Sequence, residues 1–229
     1  MLVAVFSDIH SNLEAFNEVL KAAGSVDRYL CLGDIVGYGA NPNEVIQLIK
    51  QHEMLAIRGN HDDAVLTGRA AGFNPIAASA VEWTGRNIRP EGLTFLQNLP
   101  LQLHVQLDGL RAHMVHGSPD EPLEEYIYPD ETSDRLESFL TLTEADLLLL
   151  GHTHIPMNIR LVKGRVLNPG SVGQPRDGDP KASFAIMKVE GRSVECSIHR
   201  VQYDIEKAAR KILDSGLPSF DAERLYQGL

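Results

Sequence analysis

The sequence predicts an α/β chain in which two stacked β-sheets are covered by helices. The chain opens with alternating strand and helix patterns, turns near Leu101 to hairpin-type alternation, and contains no linker-like stretch. One domain spanning residues 1–229 fits this order better than two.

"LVAVF" at 2–6 is a short continuous apolar run and reads as the first strand. From Asn12 to Ala23, apolar residues at Leu13, Phe16, Val19 and Leu20 follow the spacing of one helix face. "RYLCL" at 28–32 is a second strand, a helix opens at Asn41 and Pro42 and runs to about His52, and "MLAI" at 54–57 is a third strand. This βαβαβ order makes the strands parallel. A helical middle follows at about 61–69, 75–88 and 91–98, with Pro75 and Pro90 near helix starts, and is expected over the sheet's edge. Its "AASAVEW" run at 77–83 should pack a helix on the sheet, with a substrate-covering lid as the alternative. "LQLHVQL", the Asp108-Gly109 turn and "LRAHMVH" make a hairpin, where the sheet should become antiparallel. It also sets His104 opposite His113, both read as structural. "ADLLLL" (145–150), "RVLN" (165–168), "SFAIMKV" (183–189) and "SVECSIHRV" (193–201) add four strands. A closing helix at 204–214 ends at Gly216, and the tail beyond is a candidate for packing on a neighbouring subunit in an oligomer.

Composition narrows the function. A net charge of −10 argues against general nucleic-acid or anionic-membrane binding, since both need a basic face. Cys31 and Cys196 sit in strand-like runs without metal or disulfide spacing, so both read as reduced and the expected compartment is the cytoplasm. "MLVAVFSDIH" reads as a first strand rather than a signal peptide, and no apolar run is long enough to span a bilayer.

The residues that are hardest to bury collect after strands. Asp8 and His10 follow the first, Asp34 the second, Asn60 and His61 the third, His116 the fifth, and His152 and His154 the sixth. In open α/β sheets that edge is where ligands bind. On an extended backbone Asp8 and His10 would point one way and Ile9 toward the core, a device that His152 and His154 repeat. With Asp34, Asn60 and His116 they form a donor set larger than one tetrahedral zinc needs, which suggests two metal ions sharing a ligand. Gly33, Gly59, Gly117 and Gly151 stand beside these donors, where a sharp turn or close approach is needed; Gly151 in particular should turn the chain out of the leucine strand.

The ordered motifs "SDIH", "GD", "GNHD", "VHG" and "GHTH", with "NPGSVG" at 168–173, resemble those of the calcineurin-like metallophosphoesterases. "SDIHSN", "GDIVGYG" and "NPGSVGQPRDGDP" look most like the small bacterial phosphodiesterase-type group. The resemblance implies a four-layer αββα sandwich, with one metal held by Asp8, His10, Asp34 and His154 and the other by Asp34, Asn60, His116 and His152. Asp34 would bridge, and His61 would be the catalytic histidine. The superfamily's protein phosphatases carry an Asp and an Arg where this chain has Gly37 and Tyr38, which makes phosphoprotein hydrolysis less fitting. It leaves open how His61 is oriented, with Asp62 and Asp63 as candidates.

Such a site implies hydrolysis of a small phosphate ester, most fittingly a phosphodiester, by a metal-bound hydroxide with His61 as general acid. Mixed imidazole, carboxylate and amide donors favour Mn, Fe, Ni, Co or Zn over Ca, with manganese first in assays. Arg58 and Arg176 are candidate phosphate grips, each equally readable as a surface arginine. Asn12 is a candidate substrate contact or a helix N-cap, and Tyr38 a candidate pocket residue. Loops 62–90 and 117–135 would set substrate choice, and the acidic 118–134, with Tyr126 and Tyr128, would border the pocket. The alternatives are a phosphoprotein or phosphomonoester phosphatase, or a non-hydrolytic scaffold on the same fold.

Overall fold

The computed structural model describes residues 1–70 and 72–229. Its strands are β1 (Leu2–Phe6), β2 (Arg28–Cys31), β3 (Leu55–Ala56), β4 (Gln102–Leu107), β5 (Leu110–Val115), β6 (Leu147–Leu149), β7 (Met157–Arg160), β8 (Arg165–Asn168), β9 (Ala182–Glu190) and β10 (Ser193–Val201). The helices are α1 (Leu13–Ala23), α2 (Pro42–Gln51), α3 (Asn60–Thr67), α4 (Pro75–Asn87), α5 (Pro90–Gln97), α6 (Ser133–Leu142), α7 (Ile205–Asp214) and α8 (Ser219–Glu223), with a 3₁₀ turn at Arg224–Tyr226.

Two mixed five-stranded sheets form, in the orders β10-β9-β1-β2-β3 and β4-β5-β6-β8-β7. The opening strands are parallel, as their order predicts. The hairpin does not continue that sheet: β4 and β5 pair antiparallel with His104 opposite His113, and β5 then pairs parallel with β6 in a second sheet. Alternation along each strand explains the layers. In β1, Val3 and Val5 meet Leu107, Met114 and Leu149 between the sheets, while Ala4 and Phe6 face Phe16, Val19 and Ile49 of the helices. The leucine run divides likewise: Leu147 and Leu149 fill the space between sheets, and Leu148 and Leu150 pack against Leu136 and Phe139 of α6. A strand buried on both faces needs apolar residues at every position, which is why it lacks alternation.

Sequence patterning does not reveal β7, α6 or α8. β7 is an edge strand with one deeply buried residue, Met157. α6 carries a short apolar stripe, Leu136, Phe139 and Leu140, behind an N-cap in which Thr132 accepts from the Arg135 amide. Trp83 joins α4 to the end of α7 rather than to a sheet, donating its Nε1–H to the Ser215 carbonyl at 2.8 Å. The specificity segment 62–90 includes Ala71, which lies outside the described residues. The tail folds back on its own chain: Leu217, Ala222 and Leu225 are buried with Tyr38, Ala208 and Ala209. No helix among the described residues is long and apolar enough to cross a membrane.

Candidate metal centre

The chain leaves β1 and β2 by paired turns. The Asp8 amide donates to the Gly33 carbonyl at 3.1 Å, and the His10 amide to the Asp34 carbonyl at 3.0 Å. These turns are not extended. Of the ten non-glycine residues with positive φ among the described residues, seven line this rim: Asp8, His10, Ser11, Asp34, Tyr38, His152 and His154. Left-handed backbone costs ~1–2 kcal/mol per residue outside glycine and is milder for Asp, so strain is concentrated where the donors converge. Asp8 and His10 therefore share a direction through left-handed turns rather than through strand alternation, while Ile9 still enters the core. Gly151 likewise makes no turn by positive φ. A Cβ there would lie 2.2 Å from Ser7 Oγ and 3.1 Å from His116 Nδ1, so glycine permits close approach, and His152 and His154 make the turns.

All seven predicted donors are buried at this rim. Asp8, His10, Asp34 and His154 form one group whose ligand atoms lie within 4.8 Å of one another, and Asp34, His116 and His152 form a second. Asn60 joins the second through its Oδ1, 3.1 Å from His116 Nε2. The Asp34 Oδ2 stands 3.5 Å from His10 Nε2 and 3.4 Å from His116 Nε2, while its Oδ1 accepts from the His61 amide at 2.9 Å. Backbone carbonyls fix the rings: Nδ1 of His10 donates to Val36 at 3.1 Å, Nδ1 of His116 to Leu32 at 2.7 Å, and Nδ1 of His154 to Gln174. Each ring thereby turns Nε2 toward the centre.

Charge separates these groups. Burial alone would raise the Asp8 carboxyl, but the imidazoles of His154 and His116 hold it well below the usual carboxylate range. Asp34 is treated alike by His116 and His61. Burial pushes His10 and His154 below their ordinary value and His152 to about 3. His116 is opposite: burial opposes its charge, yet Asp34 prevails and raises it to about 9. The donor set suits a divalent metal. Asp8 Oδ1 is buried without a hydrogen-bond partner, and Nε2 of His10 faces Nε2 of His154 at 3.1 Å, an arrangement that a cation would satisfy.

His61 begins α3 beside this cluster, its ring packed against Tyr38, His10 and Phe73 at centroid distances of 4.5, 4.8 and 4.8 Å. Its Nδ1 is buried without a partner, and burial lowers its pKa to about 4. Neither predicted carboxylate touches that ring. Asp62 accepts from the amides of Ile35, Val36 and Gly59, tying two turns together, and Asp63 pairs with Arg58 at 3.0 Å. The aromatic cage orients His61, and Gly37 leaves room for it, since a Cβ there would lie 2.6 Å from Nδ1.

The four candidate substrate contacts differ. Arg58 is engaged by Asp63 and the carbonyls of Gln97 and Leu99. Asn12 caps α1 by accepting from Ala15 and donates to the Gly173 carbonyl. Arg176 and Tyr38 lie together: the arginine donates to the tyrosine hydroxyl at 3.3 Å, and its Nε has no partner. Sequence reasoning missed Phe73 and Arg224. Arg224 comes from the tail and lies over the Tyr38 ring at 5.8 Å, a position no local pattern signals.

The calcineurin-like phosphoesterase superfamily domain matches residues 1–192. An uncharacterized protein of Methanocaldococcus jannaschii is 42% identical, with 99% of this chain and 98% of that protein covered. The phosphodiesterase YfcE of Escherichia coli strain K12 is 27% identical over 82% of this chain and 88% of its own. The crystal structure of a metallophosphoesterase from Sphaerobacter thermophilus superimposes with a TM-score of 0.85 at 36% identity, covering 100% of this chain and 99% of that one. The family match, the buried Asp/His cluster and the two flanked sheets converge: this chain belongs to the calcineurin-like phosphoesterase superfamily.

Proposed function

We propose that the protein is a phosphodiesterase that uses two divalent transition-metal ions to cleave small phosphodiesters. Asp8, His10, Asp34 and His154 would hold one ion, and Asp34, Asn60, His116 and His152 the other. The observation that carries this reading is that Asp34 belongs to both donor groups. Manganese, iron, nickel, cobalt and zinc all suit such ligands.

Bound divalent ions supply positive charge against the phosphate and bring the pKa of water from ~15.7 toward ~7. The chain's own groups do the rest. His61 meets the substrate neutral, because burial holds it near 4. A phosphate beside it draws its pKa upward, so that the ring takes up a proton from solvent as substrate binds and passes it to the leaving oxygen. Arg176, which lies beside Tyr38 at the rim, is the phosphate grip; the terminal nitrogens of Arg58 are engaged by Asp63 and by the carbonyls of Gln97 and Leu99. Among the described residues no carboxylate hydrogen-bonds the His61 Nδ1, and Gly37 and Tyr38 stand where the protein-phosphatase motif has its Asp and Arg. The unpaired thiols of Cys31 and Cys196 fit a reducing compartment, the cytoplasm.

The test is turnover of bis(p-nitrophenyl) phosphate by Mn²⁺-loaded protein, with and without chelator, beside a phosphopeptide. Chelator-sensitive cleavage of the diester with little release from the peptide supports the proposal. Diester cleavage that survives full metal removal refutes it.

A further inference from the structure

We infer that Tyr126 and Tyr128 form a stacking platform for a nucleobase, which makes nucleoside phosphodiesters the substrate class; this rests on the phosphoesterase reading above. Tyr126 stacks on the ring of His152, with centroids 3.7 Å apart and planes at 23°. Tyr128 continues the surface, 6.0 Å from Tyr126 with planes at 11°. Both rings are open to solvent, at 44% and 45% exposure, although large aromatic surfaces ordinarily leave water.

The segment holds this posture by construction. Ile127, between the two tyrosines, is buried with Val115, Leu136 and Phe139, so alternation points its neighbours outward. Arg135 of α6 pairs with Glu125 on one side and Glu131 on the other. The Gly117 amide donates to the Pro122 carbonyl at 2.7 Å, closing the turn that follows His116. A stacking surface is thus fixed against His152, a residue of the metal cluster.

The charges narrow the guest. Glu121, Glu124 and Asp130 flank the tyrosines in sequence, beside the Arg135-paired Glu125 and Glu131, an acidic border that disfavours a polyphosphate tail or a nucleic-acid strand. The single phosphate would sit at the cluster near Arg176, whose charge is felt at Tyr126, His61 and His154. A neutral aromatic base suits the tyrosines, because base-on-ring stacking tolerates any base and needs no hydrogen-bond code.

The test compares hydrolysis-resistant 5′-methylenephosphonate analogues of AMP and of ribose 5-phosphate, titrated calorimetrically into Mn²⁺-loaded protein. They differ only in the base. The wild type should favour the AMP analogue by about 5- to 150-fold, the range that stacking on aromatic side chains supplies. In the Y126L/Y128L variant the ratio should fall toward one. Equal affinity in the wild type, or a preference that survives in the variant, overturns the inference. So does a variant that loses the ribose analogue as fully as the AMP analogue, because the tyrosines would then merely support His152. Catalytic failure on diesters would count against the proposed function and leave this ratio readable.

Discussion

His10 and His154 stand 144 residues apart in sequence and face each other through Nε2 atoms 3.1 Å apart. Both rings are anchored at Nδ1 by backbone carbonyls, and burial keeps both neutral, so two lone pairs converge beside the partnerless Asp8 Oδ1. Such convergence is costly without a proton or a cation between the rings. His154→Ala should weaken Mn²⁺ binding by more than the ~10–100-fold that loss of a merely supporting hydrogen bond costs, as read by equilibrium dialysis.

His116 gives metal loading a pH dependence. Burial opposes its charge, but Asp34 raises its pKa to about 9, above the ordinary 6.5, so the metal-free ring is protonated at neutral pH. A ligand imidazole must be neutral. Loading at pH 7 should therefore expel about one proton from this ring, and affinity should rise with pH until about 9, then level. Calorimetry in two buffers of different ionisation enthalpy measures the proton release directly.

His61 is read as a group acting on the leaving oxygen, not as a ligand. His61→Ala should keep the metal content of the wild type and lose ~10²–10⁴ in kcat on a diester. Unchanged turnover with ions bound would remove it from the chemistry.

Asp221 in α8 is buried, and neither of its carboxylate oxygens has a partner. Burial pushes its pKa up to about 7 from the ordinary 3.8, against the pull of Arg224 and Arg176. A raised carboxyl pKa means that the folded chain holds a proton the unfolded chain has lost, so this group lowers stability as pH rises from about 4 to 7, and the loss is complete above. Asp221→Asn should unfold at a higher temperature than wild type at pH 8 and nearly the same temperature at pH 4, a difference that thermal scans at the two pH values resolve.

Much of this was legible in the chain because strand ends announce themselves. Asp8, Asp34, Asn60, His116 and the His152/His154 pair each follow an apolar run, and the parallel strands β1, β2 and β3 of one sheet and β5 and β6 of the other bring such ends to one rim. The backbone that aims them was less legible: extended alternation would also align Asp8 with His10, and only the φ values reveal left-handed turns. What orients His61 is open in the sequence, where Asp62 and Asp63 are candidates only as its neighbours. In the structure Tyr38 and Phe73, which no local pattern ties to His61, pack against its ring, while Asp62 points at backbone amides. The tail escaped for a related reason. Leu217, Ala222 and Leu225 acquire meaning only once α7 and Tyr38 give them a surface to cover.

We propose above that Asp34 joins two metal positions. Metal analysis of Mn²⁺-saturated, gel-filtered protein should find two ions per chain in the wild type and a loss at both positions in Asp34→Asn. One ion or none in the wild type, or full occupancy in the variant, would contradict it.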